Sequence, residues 1–233
     1  MSFTPIHYKE IRGIISNKST IVMGLAFALF FSIIYSIGIG RGENAAAAIS
    51  LDSSLFYLPA AIGAFIAYVS VSQVFFREKM DKVIETLMCT PIRLRQIWLG
   101  KVVGVTAPAY STSLLAAFLL IVISNLLSDP LLMPGVAALV QVLLVVPTFI
   151  AAFAGLVGFG QLLLGMCENR ILHFLIFVPV FAALYGSGYA VMGGSAISWT
   201  HVGILFAISL VLLALTLYLA RHLSKERIVT TLP

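Results

Sequence analysis

Long apolar runs, separated by short polar segments, dominate this chain. Six of them have about the length that a helix needs to cross a bilayer core, roughly 20 residues. None shows the short apolar–polar alternation of membrane-spanning strands. The pattern therefore predicts an all-α integral membrane protein, a single transmembrane domain over residues 1–233. The six predicted spans are residues 21–39, 55–76, 102–127, 135–166, 171–192 and 202–221.

The fourth run is too long for one straight span. Pro147 interrupts it, followed by Gly155, Gly158 and Gly160. Proline removes a backbone donor and crowds the preceding turn, so we expect a kinked or broken helix there. In the second span, Gly63 and Ala67 indicate close packing against neighbouring helices.

Composition agrees with a membrane protein. Hydrophobic residues make up 61% of the chain and charged residues only 10%, and the mean hydropathy is +1.08. Soluble domains average roughly 45–50% apolar and about 25% charged residues. None of the charged residues lies deep in a predicted span, which disfavours a proton or sodium relay.

The basic residues fix the predicted orientation. With both termini in the cytoplasm, 13 of the 14 Lys and Arg residues lie inside, and only Arg41 lies outside. This is the positive-inside distribution of a multi-pass protein of the cell (plasma) membrane. The net charge of +5 then indicates contact with anionic membrane lipids and not with nucleic acid.

The N-terminal segment, residues 1–19, is predicted to form an interfacial helix on the inner leaflet. Thr4 suits an N-cap and Pro5 the first helical position. Apolar residues then gather on one side of the helical wheel and charged residues on the other. An unstructured tail beside the membrane is the alternative.

A charged island, residues 77–101, lies between the second and third spans and holds six of the 14 Lys and Arg residues. Its first part has an apolar stripe at helical spacing, and Thr90 and Pro91 then end one helix and begin another. We expect a solvated cytoplasmic hairpin whose second helix continues into the third span, with an elbow at residues 89–92. The stripe consists of Met80, Val83, Ile84, Leu87 and Met88.

The motifs around this island resemble those of the permease subunits of type-2 ATP-binding-cassette (ABC) exporters. They are FFRE at 75–78, ETL at 85–87, TP at 90–91 and LGK at 99–101, with family-like ends at 8–20 and 225–227. The chain departs from the family in lacking a glycine before Glu85. Only residues 193–199 are available for an outer segment between the fifth and sixth spans, which is too short for the family's usual lid.

The resemblance implies six spans, an N-terminal connecting helix and a cytoplasmic coupling helix. It implies export of a hydrophobic, amphipathic or lipid-linked substrate. The partners would be two copies of an ABC ATP-binding subunit, which bind ATP and Mg, and a second permease copy or paralogue. It assigns ATPase coupling to Val83, Ile84, Glu85, Leu87, Met88, Thr90, Pro91, Ile92, Arg93 and Arg95. The alternative is that the stripe packs on the protein's own spans or on lipid headgroups.

In that family the second and fifth spans line the route. An aromatic stripe in the predicted fifth span, with two aromatic residues in the second, therefore suggests a hydrophobic gate; packing against neighbouring helices or lipid is the alternative. The residues concerned are Phe65, Tyr68, Phe174, Phe177, Phe181 and Tyr185.

The chain has no catalytic or metal constellation of its own. It lacks a phosphate-binding G-x-x-x-x-G-K-[ST] loop, and its four histidines are scattered without metal-ligand spacing. We therefore expect no enzyme activity and no cofactor on this subunit. The alternative function is a non-transporting sensor, immunity or scaffold protein that binds a cytoplasmic partner through the island. A membrane-embedded enzyme is a third alternative, and no residue pattern supports it.

Overall fold

The structure, a computed structural model, describes residues 13, 18–40, 44–76, 94–127, 131–163, 178 and 197–221. All regular structure in these ranges is helical, and five long helices each have the length and apolar character to cross a membrane. This confirms the all-α class for the described residues and is typical of a multi-pass membrane protein. The helices are α1 (Lys18–Gly40), α2 (Asn44–Val71, continued by the π-helical turn Ser72–Phe76), α3 (Leu94–Leu127), α4 (Val136 to Leu163) and α5 (Trp199–Arg221).

Helices α1 to α4 correspond to the first four predicted spans, and α5 corresponds to the sixth. The predicted fifth span (171–192), nearly all of the predicted N-terminal helix (1–19) and island residues 77–93 lie outside the described residues. The count of six spans and the placement of both termini in the cytoplasm therefore stay predictions.

Helix α2 begins earlier than the hydropathy pattern predicts, at Asn44 instead of residue 55. Helix α3 runs without a break from Leu94 through residue 102, as predicted for an island helix that continues into the third span. In α2 the hydroxyls of Ser53 and Ser54 donate to the carbonyls one turn back, at 2.7 and 2.8 Å. Because these serines bond within their own helix, a stretch that reads as a polar loop stays helical. Asp52 consequently lies inside α2.

Helix α2 is the centre of the described bundle. Of its apolar stretch, 78% is buried, against 56% for α4, 28% for α1 and α3, and 17% for α5. The outer helices expose large apolar side chains such as Phe30, Phe118 and Val211. These exposed faces suit contact with lipid, as expected for helices that cross a membrane.

The closest approach of α2, α3 and α4 lies at Gly63, as the predicted small-residue packing requires. A Cβ at this position would lie 2.3 Å from Cδ1 of Ile150 in α4 and 3.3 Å from Cβ of Ser113 in α3. The hydroxyl of Ser113 also donates to the carbonyl of Pro59, at 2.7 Å. Since lipid supplies no hydrophobic force between helices, close fit and such hydrogen bonds hold the helices together.

Serine hydroxyls join α1 to α3. Ser32 donates to the carbonyl of Ala116 at 3.1 Å, and Ser36 donates to that of Leu120 at 3.4 Å. The hydroxyls of Ser36 and Ser124 are 3.1 Å apart. All three serines are fully buried, so no water competes for these bonds.

The predicted interruption of α4 near Pro147 is confirmed as a π-helical turn. Gln141–Val145 is π-helical between the α-helical parts Val136–Val140 and Val146–Leu163. Proline has no N–H, so carbonyls in the preceding turn lose their helical donor. The hydroxyl of Tyr110 in α3 lies 3.4 Å from the carbonyls of Val142 and Leu143 and donates there instead.

Candidate functional site

Most residues of the predicted coupling site lie outside the described part of the chain. Among them Arg95 is described, and it is exposed in the first turn of α3. The structure also describes the residues that precede the island, up to Phe76, and the island's last part, residues 94–101. The coupling residues outside the description are Val83, Ile84, Glu85, Leu87, Met88, Thr90, Pro91, Ile92 and Arg93.

The last residue of the island contacts an aromatic ring just before the island, as a cation over a ring face. The Nζ atom of Lys101 lies 5.4 Å from the centre of the Phe75 ring. Both side chains are buried, at 4% and 1% exposure. The attraction of a cation to a ring face grows when water is excluded, so this contact holds the end of α2 against the start of α3.

This burial corrects one part of the sequence analysis. Residues 77–101 are predicted to be solvated, but Ile97, Trp98, Gly100 and Lys101 are buried. The long aliphatic stem of lysine allows its amine to lie at a protein–membrane boundary while the rest packs among apolar groups. The island's last turn therefore belongs to the helix bundle.

Helix α4 packs against the same place through two glycines. A Cβ on Gly158 would lie 3.1 Å from atoms of the Phe75 ring, and one on Gly155 would lie 3.2 Å from the Trp98 ring. The interruption predicted from Pro147 and the three glycines after it lies at Gln141–Val145, and Gly155, Gly158 and Gly160 lie in the regular part of α4. The first two provide space for the aromatic rings. We call the set Phe75, Trp98, Lys101, Gly155 and Gly158 the island base.

Polar side chains tie further helices together beside the island base. Thr20 of α1 donates to the amide oxygen of Gln73, at 3.0 Å. Gln161 of α4 donates from Nε2 to the hydroxyl of Ser72, at 3.2 Å. Both acceptors lie in the π-helical turn Ser72–Phe76 that ends α2. Such turns are frequent at functional sites.

One polar atom of the island base, the indole nitrogen of Trp98, is buried without a hydrogen-bond partner among the described residues. Such a group costs about 1–3 kcal/mol when it is left without a partner. The fold retains this cost where the island joins the bundle.

This geometry can transmit movement. Phe75 precedes the island in the chain, Lys101 is its last residue, and each contacts the other. Phe75 also contacts α4, as does Trp98. Packed interiors are rigid on the average, so these contacts join the residues beside the island to α3 and α4 as one packed unit.

The described part of the predicted pathway consists of Phe65 and Tyr68. The Phe65 ring stacks on Phe27 of α1, with ring centres 4.6 Å apart, and Tyr68 is half-buried against the core. Phe65 thus packs against a neighbouring helix, the alternative to a gate named in the sequence analysis. A role for Phe65 in a pathway stays a prediction. The pathway residues Phe174, Phe177, Phe181 and Tyr185 lie outside the described residues.

Four polar residues beside the island base were not singled out from the sequence. A signal was present, because amides and hydroxyls inside apolar spans commonly bond between helices. These residues are Thr20, Ser72, Gln73 and Gln161.

No protein-family model matches the chain, and no curated protein gives a match. The functional argument therefore rests on the sequence motifs and on the geometry of the island base.

Proposed function

We propose that this chain is the permease subunit of an ABC exporter. It forms the path through the cell membrane for a hydrophobic, amphipathic or lipid-linked substrate. ATP hydrolysis takes place on a separate cytoplasmic subunit, which also binds Mg. The complex contains two permease chains, identical or paralogous, and two ATP-binding subunits.

The island base is the observation that carries this proposal. A permease driven from the cytoplasm needs a solvated segment for the partner and a rigid attachment of that segment to the spans. The contact between Lys101 and Phe75 joins the island's last residue to the turn that precedes the island. Gly155 and Gly158 bring α4 into the same contacts. This arrangement supports a role in which work done on the island reaches three helices.

The positive charges of the island also support a partner on the cytoplasmic side of the membrane. Arg95 is exposed next to the buried island base, and the island holds six of the chain's 14 Lys and Arg residues. Exposed charges at the rim of an interface set orientation and association rate. The predicted apolar stripe supplies the surface for a groove on the ATP-binding subunit.

Thiol crosslinking tests this placement. The chain has two cysteines, so replacing Cys167 with Ser leaves Cys89, at the predicted elbow, as the single thiol. We expect Cys89 to crosslink to engineered cysteines in the groove of the ATP-binding subunit, and the Cys89→Ser variant to give no product. Absence of crosslinking at every groove position of an active complex would contradict the proposal.

A transport assay separates the two function classes. Crosslinking together with ATP-dependent movement of a lipid-linked or amphipathic cargo supports the exporter. If the ATP-binding subunit binds and no candidate cargo moves, a non-transporting sensor, immunity or scaffold role replaces transport.

A further inference from the structure

A short non-helical segment, residues 131–135, covers the end of the bundle away from the island. We call it the strap. Leu132 is buried at 6% exposure in the main apolar core, while its neighbours Leu131 and Met133 are 78% and 85% exposed. The strap therefore inserts one side chain, that of Leu132, into the apolar core, while the side chains on either side of it point outward.

Two hydrogen bonds hold the strap down, and each comes from a different helix. The backbone N–H of Leu132 donates to Oδ1 of Asn125 in α3, at 2.7 Å. The backbone N–H of Gly135 donates to Oδ1 of Asp52 in α2, at 2.7 Å. Because one acceptor belongs to α2 and the other to α3, a movement of α2 relative to α3 would break at least one of these bonds.

The Asp52 contact is closely fitted. A Cβ on Gly135 would lie 2.7 Å from Oδ2 of Asp52, so the carboxylate occupies the space of a side chain there. Gly135 immediately precedes α4, and the amide end of a helix favours a negative charge. Asp52 is half-buried near the start of the apolar stretch Ile49–Phe75.

We propose that the strap is a lid on this end of the bundle and that Asp52 is the residue that latches it. Breaking the bond between Asp52 and Gly135 lets the strap lift and Leu132 leave the core. The inference does not depend on the proposed transport function. It places a closing element between α3 and α4, and not in the short segment at residues 193–199.

Cysteine labelling tests the latch in the purified full chain. In a background with Cys89→Ser and Cys167→Ser, a maleimide reports the accessibility of Leu132→Cys, with the exposed Met133→Cys as the fast control. We expect slow labelling at position 132 when Asp52 is present. Asp52→Ala should accelerate it about tenfold or more, because a charged acceptor is lost. Asp52→Asn keeps an acceptor oxygen and should change the rate by less than about threefold.

Gly135→Ala provides a second variant if Asp52→Ala does not fold. Its Cβ displaces the carboxylate, so it should accelerate labelling at position 132 as well. The proposal is overturned if neither variant changes that rate, or if position 132 labels as fast as position 133 with Asp52 in place. Equal acceleration by Asp52→Asn and Asp52→Ala also overturns it, since the bond would then not be what holds the strap.

Discussion

Substitution of Gly63 by Ala perturbs the place where three helices approach most closely. The new Cβ would lie 2.3 Å from Cδ1 and 3.0 Å from Cγ1 of Ile150, whereas carbon atoms in contact are normally about 3.5–4.0 Å apart. Ile150 is fully buried, so it cannot turn away without moving its neighbours. Overpacking of this kind costs about 1–3 kcal/mol. The gain in helix propensity from Gly to Ala returns at most about 1 kcal/mol.

We therefore expect Gly63→Ala to lower the free energy of unfolding by about 1 kcal/mol, and by up to about 2. Titration with SDS in mixed micelles measures this quantity. Gly203→Ala is the matched control, because no atom lies within 4 Å of its Cβ position; it should leave stability unchanged or raise it.

Ile150→Val removes the Cδ1 atom and supplies the decisive double mutant. Alone it should cost about 0.5–1.5 kcal/mol. Combined with Gly63→Ala it should cost less than the sum of the two single substitutions, by about 1 kcal/mol or more. Additive effects, or a Gly63→Ala variant as stable as the Gly203→Ala control, would refute the packing argument.

Three further substitutions test the polar contacts, each by the free energy of unfolding in the same titration. Lys101→Met should cost about 0.5–2 kcal/mol through loss of the contact with Phe75, whereas Lys101→Arg should retain most of it; equal losses would contradict a charge-dependent contact. Ser36→Ala should cost about 0.6 kcal/mol, a typical value for a hydrogen bond between membrane helices. Ser53→Ala, whose hydroxyl bonds within its own helix, should cost less, and the reverse order would contradict the assignment. Tyr110→Phe should cost about 1 kcal/mol, and an unchanged value would show that its hydroxyl does not satisfy the carbonyls of α4.

Hydropathy was sufficient to predict five helices that are long and apolar enough to cross a membrane, because the length of a spanning apolar run follows from bilayer thickness. Hydropathy did not predict where α2 begins. The polar sequence at Asp52, Ser53 and Ser54 reads as a loop, yet two hydroxyls bond the preceding turn and the third side chain bonds Gly135. The bond between Asp52 and Gly135 joins α2 to the strap, far apart in the chain, so no local pattern predicts it.

The island base was missed for a related reason. Lys101 reads as a solvated charge, yet it is buried and lies over the Phe75 ring. Gly158 reads as part of a kinked helix after Pro147, yet it lies against the same ring. Proline at 147 was interpreted correctly, because its effect on its own helix is local. Which side chains meet between helices is decided by packing, and no periodicity in one segment reveals it.

Association with the ATP-binding subunit is the most direct measurement of the central claim. The double variant Leu87→Asp and Met88→Asp places charges in the predicted apolar stripe of the island, while Lys79→Asp places one on the predicted polar face. We predict that all variants insert in the membrane, that the double variant loses co-purification of the ATP-binding subunit, and that Lys79→Asp retains it. Unchanged co-purification with the double variant would contradict the claim that the island is where this subunit binds.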